Sequence, residues 1–315
     1  MCTAVSYNSY DHYFGRNLDW EHSFGENIII VPRNFEFCFK SENTIKNHYA
    51  ILGVGIIKND YPLYFDAVNE FGLCIAGLNF PDNATYFPHS DKKTNVTPYE
   101  FIPFVLSKCK TVHEAIEIIK NINFLNIAFS SDLPLSPLHW IISDHTVSIT
   151  VEPIKSGVKI YNNPVGVLTN NPTFDIQLHN LNNYINISPY EPKDRFAKSI
   201  TLSTYSRGMG AIGLPGDLSS QSRFVRATFV KSNIITDNQS ESVSSFFHIL
   251  SSVEMQKGCV ITADKKAEHT IFSDCYDTQK GIIYFKTYNN ANLLQFCMHN
   301  YNLEQNNLIM IKSDP

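Results

Sequence analysis

Two runs of strand length, residues 51–57 and 73–78, are apolar at almost every position. A strand with one wet face alternates apolar and polar residues, so runs of this kind read as strands covered on both faces. Other short apolar, β-branched runs lie at 4–7, 27–32, 49–57 and 64–68, bounded by Gly, Asn, Asp and Pro as strands separated by turns are. The middle of the chain changes period. Residues 97–109 read as a helix, with Pro98 suited to its first position. Thr111-Val112-His113-Glu114 reads as a capping box, followed by Val112, Ala115, Ile116, Ile119 and Ile122 at helical spacing. Strands return at 138–143, 148–152, 158–161 and 165–169, helices at 222–234 and 240–253, and strands at 270–273, 282–288 and 293–297. No internal repeat or low-complexity linker divides the chain, and 186–194, with Pro189 and Pro192, is a loop and not a domain boundary. This order of blocks predicts one domain over 1–315, an α+β fold with sheets packed together and helices outside.

The length of 315 residues exceeds the usual size of one core, but 43% hydrophobic and 17% charged residues supply ample material for it. A net charge of −5, with scattered Lys and Arg, excludes a broad nucleic-acid or anionic-membrane surface. The first twenty residues carry Asp11, Arg16 and Asp19 and lack an apolar signal core, and no apolar run approaches the ~18 residues that span a bilayer. Seven widely spaced cysteines without a C-x-x-C pair fit reduced thiols. The expectation is a cytoplasmic protein with no membrane insertion and no nucleic-acid partner.

Cys2 directly follows Met1. Initiator methionine is removed before a small side chain, so the mature chain would begin with a residue that carries a thiol and a free α-amine. The thiolate is the nucleophile. The amine, with an ordinary pKa of roughly 7.7–8.0, can serve as its base. If 4–7 turns near 8–11, then 12–18 returns beside it as a hairpin and brings Arg16 and Asp19 toward Cys2. A cation there favours thiolate, and Asp19 could hold the amine and aim it at the sulfur. A weak surface ion pair is the plainer alternative.

Several elements in register now carry a resemblance. Cys2, Gly15-Arg16-Asn17-x-Asp19, Asn69-Glu70-x-Gly72-Leu73, Ala76-Gly77-Leu78-Asn79-Phe80-Pro81, Leu168-Thr169-Asn170-Asn171-Pro172, and Gly213-Leu214-Pro215-Gly216-Asp217 followed by Ser222-Arg223-Phe224 are together similar to the choloylglycine hydrolase family. That family holds bile salt hydrolases and penicillin V acylases among the N-terminal nucleophile hydrolases. The resemblance implies a four-layer αββα sandwich of two antiparallel sheets, and amide hydrolysis without metal or cofactor. It implies Cys2 as nucleophile and base, Arg16, Asp19 and Arg223 around it, and an oxyanion hole from the Asn79 main chain and the Asn170 side chain. Turn formation is the ordinary alternative use of both asparagines.

The Gly77-Leu78-Asn79-Phe80-Pro81 version resembles the bile salt hydrolase branch, which implies conjugated bile salts as substrates. Leu18, Phe65, Phe129 and Leu133 fall where the family's steroid pocket lies, and each could equally be core. Ser206-Arg207-Gly208 falls in a loop tied to the choice between glycine and taurine conjugates, where Arg207 could pair with a glycine carboxylate. The family is often tetrameric, and 186–206 aligns with its assembly region, so a homotetramer is the expectation. Penicillin V acylase or N-acyl homoserine lactone acylase activity, acyl transfer to an amine, and a non-enzymatic binding scaffold are the alternatives. Gly208-x-Gly210-x-x-Gly213 matches the dinucleotide fingerprint only as text, because Pro215 and Gly216 follow it. Cys109 and His113 have metal-ligand spacing but no second pair.

Overall fold

The computed structural model describes residues 1–312. β1 (Cys2–Asn8) and β2 (His12–Trp20) form an opening hairpin. β3 (Asn27–Val31), β4 (Ile51–Lys58), β5 (Tyr61–Asn69), β6 (Cys74–Asn79) and the short β7 (Thr94–Val96) follow. Helices α1 (Phe101–Leu106) and α2 (Val112–Ile119) lead to β8 (Ile122–Phe124), then to β9 (Leu138–Ser143), β10 (Ser148–Ile154), β11 (Gly157–Asn162) and β12 (Val167–Leu168). Helices α3 (Phe174–Asn180), α4 (Ser220–Asn233) and α5 (Ser242–Ser251) precede β13 (Val260–Ile261), β14 (Ala267–Asp277), β15 (Ile282–Thr287), β16 (Leu294–Cys297) and β17 (Ile309–Ile311).

Two antiparallel sheets dominate. The first runs β12-β1-β2-β14-β15-β16, with β13 paired to β14; the second runs β11-β10-β9-β6-β5-β4-β3-β17. They face one another through β1, β2 and β12 against β6 and β9; α4 and α5 pack on the first sheet and α1 on the second. The result is the expected αββα layering. The alternation along the second sheet shows why its strands are apolar throughout. Ile28, Ile30, Leu52, Val54, Cys74 and Ala76 belong to the core between the sheets, whereas Ile29, Val31, Ile51 and Ile75 belong to the core under α1 and α2. β3, β4 and β6 are thus buried on both faces over most of their length, as a period of two demands.

The opening hairpin forms as expected, with Cys2 opposite Leu18 and Ala4 opposite Arg16. β2 pairs on its other edge with β14, where Asp19 faces Thr270 across a bulge between Thr270 and Phe272. Other elements differ from the sequence reading. The helix expected over 97–109 shrinks to α1, because Glu100 folds back onto the Thr97 hydroxyl and amide, 2.7 and 3.3 Å, and makes a turn of 97–100. Pro98 therefore precedes the helix. Thr111 caps α2 by accepting from the Glu114 amide at 3.2 Å, but the Glu114 carboxylate accepts from Lys110 N–H at 2.6 Å, one residue before the capping-box partner. Ile122 leaves the helical face and starts β8. The strand expected over 270–273 extends to the eleven residues of β14. The Gly208–Gly213 text match lies on a single 3-10 turn, Met209–Ala211, and opens no α-helix.

His12 sits between the sheets at 1% exposure. Its Nε2 meets Ser6 Oγ at 3.0 Å and its Nδ1 meets Thr278 Oγ1 at 2.9 Å. Hydroxyls can donate or accept, so a neutral imidazole is satisfied there. Burial pushes its pKa down to about 4. An unfolded histidine titrates near 6.5 and takes up a proton that the folded one refuses, so this site contributes full stability above pH 6.5 and loses it as pH falls toward 4. The loss is about 3 kcal/mol. His12→Gln should flatten the fall in urea midpoint between pH 6.5 and 4 relative to the parent; parallel pH profiles would show that His12 does not cause the fall.

Candidate active site

Cys2 begins β1 and is 5% exposed. Its main-chain N–H donates to Asn170 Oδ1 at 2.9 Å. Asn170 lies two residues beyond β12, the edge strand beside β1, so sheet pairing brings a residue 168 positions away to the chain start. Arg223, in the second turn of α4, joins the two. It donates from Nη1 to Cys2 O and Thr3 Oγ1, both 2.6 Å, from Nη2 to Asn170 Oδ1 at 2.8 Å, and from Nε to Leu218 O at 3.0 Å. Ser219 places this helix by accepting from the Ser222 amide as its N-cap. Asn170 Nδ2 donates to Asn79 O at 2.7 Å, linking β12 of one sheet to β6 of the other. Asn171 points elsewhere, to Pro81 O. Of the two adjacent asparagines, Asn170 is thus the one at Cys2.

Arg16 and Asp19 come from β2. Arg16 is 1% exposed and donates from Nη1 to Gly77 O at 2.6 Å and Phe65 O at 3.2 Å. Burial works against its charge, but Cys2, Asp66, Asp274 and Asp19 outweigh that and raise its pKa. Asp274 Oδ1 accepts from the Arg16 amide at 2.8 Å, and Tyr276 OH donates to Asp66 Oδ1 at 2.5 Å. Burial pushes both carboxyls up, Asp274 well above the usual carboxylate range with Asp66 as the second cause. Asp19 Oδ1 accepts from Thr270 Oγ1 at 2.6 Å. Its Oδ2 is 3.9 Å from Arg223 Nη1 and has no hydrogen-bond partner among the described residues. The Met1 amine donates to Asp19 O at 2.6 Å and pairs with Glu268; burial lowers its pKa.

A cavity of about 380 Å³ opens at this cluster, with Cys2, Arg16, Asp19 and Asn79 in its lining. Leu18, Phe65, Phe129 and Leu133 also line it. Asn170 and Arg223 stand behind Cys2 and do not line it, and Arg207 is exposed and apart from it. The motifs did not point to Trp20, Phe24, Ile56, Leu63, Tyr99 or Leu135, which complete the apolar wall. A clue was available for Trp20 and Phe24: both follow Asp19 closely, and Phe24 meets Phe65 at a ring separation of 5.4 Å. Cys109 is buried while His113 is exposed, and among the described residues no group of three or more His, Cys, Asp and Glu could hold a metal.

The buried charges make two variants informative. Removing a cation from a fully buried cluster leaves carboxyls uncompensated, so Arg16→Met should cost about 3–5 kcal/mol in urea unfolding. Asp274→Asn should behave oppositely. The folded state holds a proton on Asp274 that the unfolded state releases above about pH 4, so the parent loses stability there as pH rises and the asparagine variant does not. The midpoint of Asp274→Asn relative to the parent should rise between pH 5 and 8; a flat difference over that range would mean that Asp274 is ionised in the folded state as a partner of Arg16.

Comparison with known proteins fits this geometry. Residues 2–311 match the family described as linear amide C-N hydrolases, choloylglycine hydrolase family. A bile salt hydrolase/transferase of Lactiplantibacillus plantarum is 50% identical over 310 residues, covering 98% of this chain and 96% of that protein. The crystal structure of a C2A variant of the conjugated bile acid hydrolase from Clostridium perfringens superposes with a TM-score of 0.94 at 38% identity, covering 100% of this chain and 97% of that one. A penicillin V acylase from Agrobacterium tumefaciens shares the fold, with a TM-score of 0.75 at 24% identity over 99% of this chain and 91% of that one.

Proposed function

The chain belongs to the choloylglycine hydrolase family, and from that premise we propose that it hydrolyses the amide bond of glycine- or taurine-conjugated bile salts through a thioester on Cys2. The observation that carries this reading is an apolar cavity that ends at buried Cys2, the residue after Met1. A steroid is broad and mostly apolar, and needs such walls with few fixed polar groups.

Loss of Met1 turns the Cys2 amide into an amine. Asn170 Oδ1 already accepts from that nitrogen, and Asp19 Oδ2 is a buried carboxylate oxygen in want of a donor. The amine takes the thiol proton as sulfur attacks the amide carbonyl. The oxyanion would be met by the Asn79 main-chain N–H and by the second hydrogen of Asn170 Nδ2, whose first is held by Asn79 O. Donors so placed typically supply ~2.7–4 kcal/mol each. The amine then protonates the departing glycine or taurine nitrogen, and water releases the bile acid from sulfur. An amine in place of water would give acyl transfer, which the name of the Lactiplantibacillus plantarum relative also carries.

Three finer assignments complete the reading. Arg207 would pair with the carboxylate of a glycine conjugate, from a loop outside the cavity of its own chain. The segment 185–205 exposes Ile185, Tyr190, Phe196 and Tyr205 at 76–84%, a surface suited to burial between copies in a homotetramer. All seven cysteines are unpaired, which suits a reducing cytoplasm.

A substrate panel tests the proposal. The parent should cleave glycocholate and taurocholate well ahead of penicillin V and acyl homoserine lactones, and Cys2→Ala should abolish all of it, with Cys2→Ser far below the parent. Faster turnover of penicillin V than of either conjugate would contradict the steroid assignment. Glycocholate should lead, and Arg207→Ala should narrow that lead; equal or taurine-favoured rates in the parent would refute the Arg207 role. In light scattering, Phe196→Ser/Tyr205→Ser should shift a tetramer to smaller species, and an unchanged mass would exclude this surface.

A further inference from the structure

The two proposed oxyanion groups belong to different sheets. Asn79 ends β6, and Asn170 follows β12. Their relative position therefore depends on whatever ties the sheets together at that level. His139 on β9 stands between them, fully buried. Its ring stacks on Phe80, the residue after Asn79, at 4.1 Å and 6°. Its Nε2 lies 2.9 Å from the carbonyl of Thr169, the residue before Asn170. Its Nδ1 lies 3.2 Å from Glu152 Oε1, which also accepts from the Phe174 amide at 2.9 Å.

Both nitrogens of this ring face acceptors. A carbonyl cannot donate, so Nε2 carries a hydrogen. A neutral imidazole has only that one, so the contact to Glu152 requires a second proton. Imidazolium against carboxylate, or neutral imidazole against carboxylic acid, satisfies it; either way the pair is neutral as a unit, which makes its complete burial tolerable. In either arrangement Nε2 keeps the hydrogen that reaches Thr169, and Glu152 satisfies Nδ1.

We propose that His139 and Glu152 form a positioning pair that sets the separation of Asn79 and Asn170 by bridging Phe80 and the Thr169 carbonyl across the two sheets. The proposal rests on the reading of Asn79 and Asn170 as oxyanion donors and of Cys2 as nucleophile. The pair touches no substrate. It acts through the chain segments it holds, and a shift of about 1 Å in such a donor can cost up to about 100-fold in rate.

Two isosteric variants separate this role from general stability. Glutamine's amide nitrogen lies where Nε2 does and can donate to Thr169; asparagine's lies where Nδ1 does and cannot. Both are made with Glu152→Gln, so that neither leaves a buried charge. With the better conjugate of the panel, His139→Asn/Glu152→Gln should lower kcat about 10- to 100-fold with KM within about 3-fold of the parent. His139→Gln/Glu152→Gln should recover at least about 10-fold of that loss. Alkylation of Cys2 by iodoacetamide, which forms no oxyanion, should proceed at the parental rate in both. Equal kcat in the two double variants, or a loss of kcat matched by a loss of alkylation rate, would overturn the proposal. Asn170→Ala guards the premise: if it retains the parental kcat, the oxyanion assignment itself is wrong, whatever the pair does.

Discussion

Two guanidinium groups, those of Arg16 and Arg223, are completely buried around the first strand, and the architecture of this protein is arranged to make that tolerable. An isolated buried cation would cost many kcal/mol, so each must be surrounded by acceptors. Arg223 takes oxygens from Cys2, Thr3, Asn170 and Leu218; Arg16 takes the Gly77 and Phe65 carbonyls and lies beside Asp66. Those acceptors come from both sheets and from the approach to α4. The same bonds that compensate the charge therefore fasten the layers and fix the main chain at Cys2. Stability and chemistry share one set of contacts at this place.

The close packing around the cluster leaves little freedom for change. A Cβ on Gly15 would stand 2.1 Å from Asp274 O, so β2 and β14 approach as they do only because residue 15 has no side chain. This approach lets the Arg16 amide reach Asp274 Oδ1. Gly77 in turn faces the Trp140 indole at 3.1 Å from its would-be Cβ, at the cavity wall. The cavity is polar where it meets Cys2 and apolar along its walls. The division matches an amide at the end of a hydrophobic acyl group.

The periodicity of the chain conveyed the hairpin, the doubly covered strands of the second sheet and the Thr111 cap, because each depends on residues close in sequence. The nearness of Cys2, Arg16 and Asp19 followed from hairpin register alone. Arg223 and Asn170 were reached only by resemblance, since nothing local in the chain says that a residue two beyond β12 and one in the second turn of α4 converge on the first strand. The helix at 97–109 was overestimated because Glu100 has a tertiary partner, the Lys40 amide at 2.6 Å, beside its bonds to Thr97. The cavity walls contributed by Tyr99 and Leu135 were invisible for a related reason. Apolar residues in a core and in a pocket look alike until the space beside them is seen. Both ring nitrogens of His139 have partners, but no local pattern in the sequence identifies the two segments that it joins.

The account stands on Cys2 becoming the first residue, so that the nitrogen now bonded to Asn170 can pass from amide to base. Intact-protein mass spectrometry during turnover of a conjugated bile salt, quenched in acid, tests this most directly. The active protein should lack Met1 and carry the steroid acyl group as a thioester on Cys2. Full activity in protein that retains Met1, or an acyl adduct on any other residue, would contradict it.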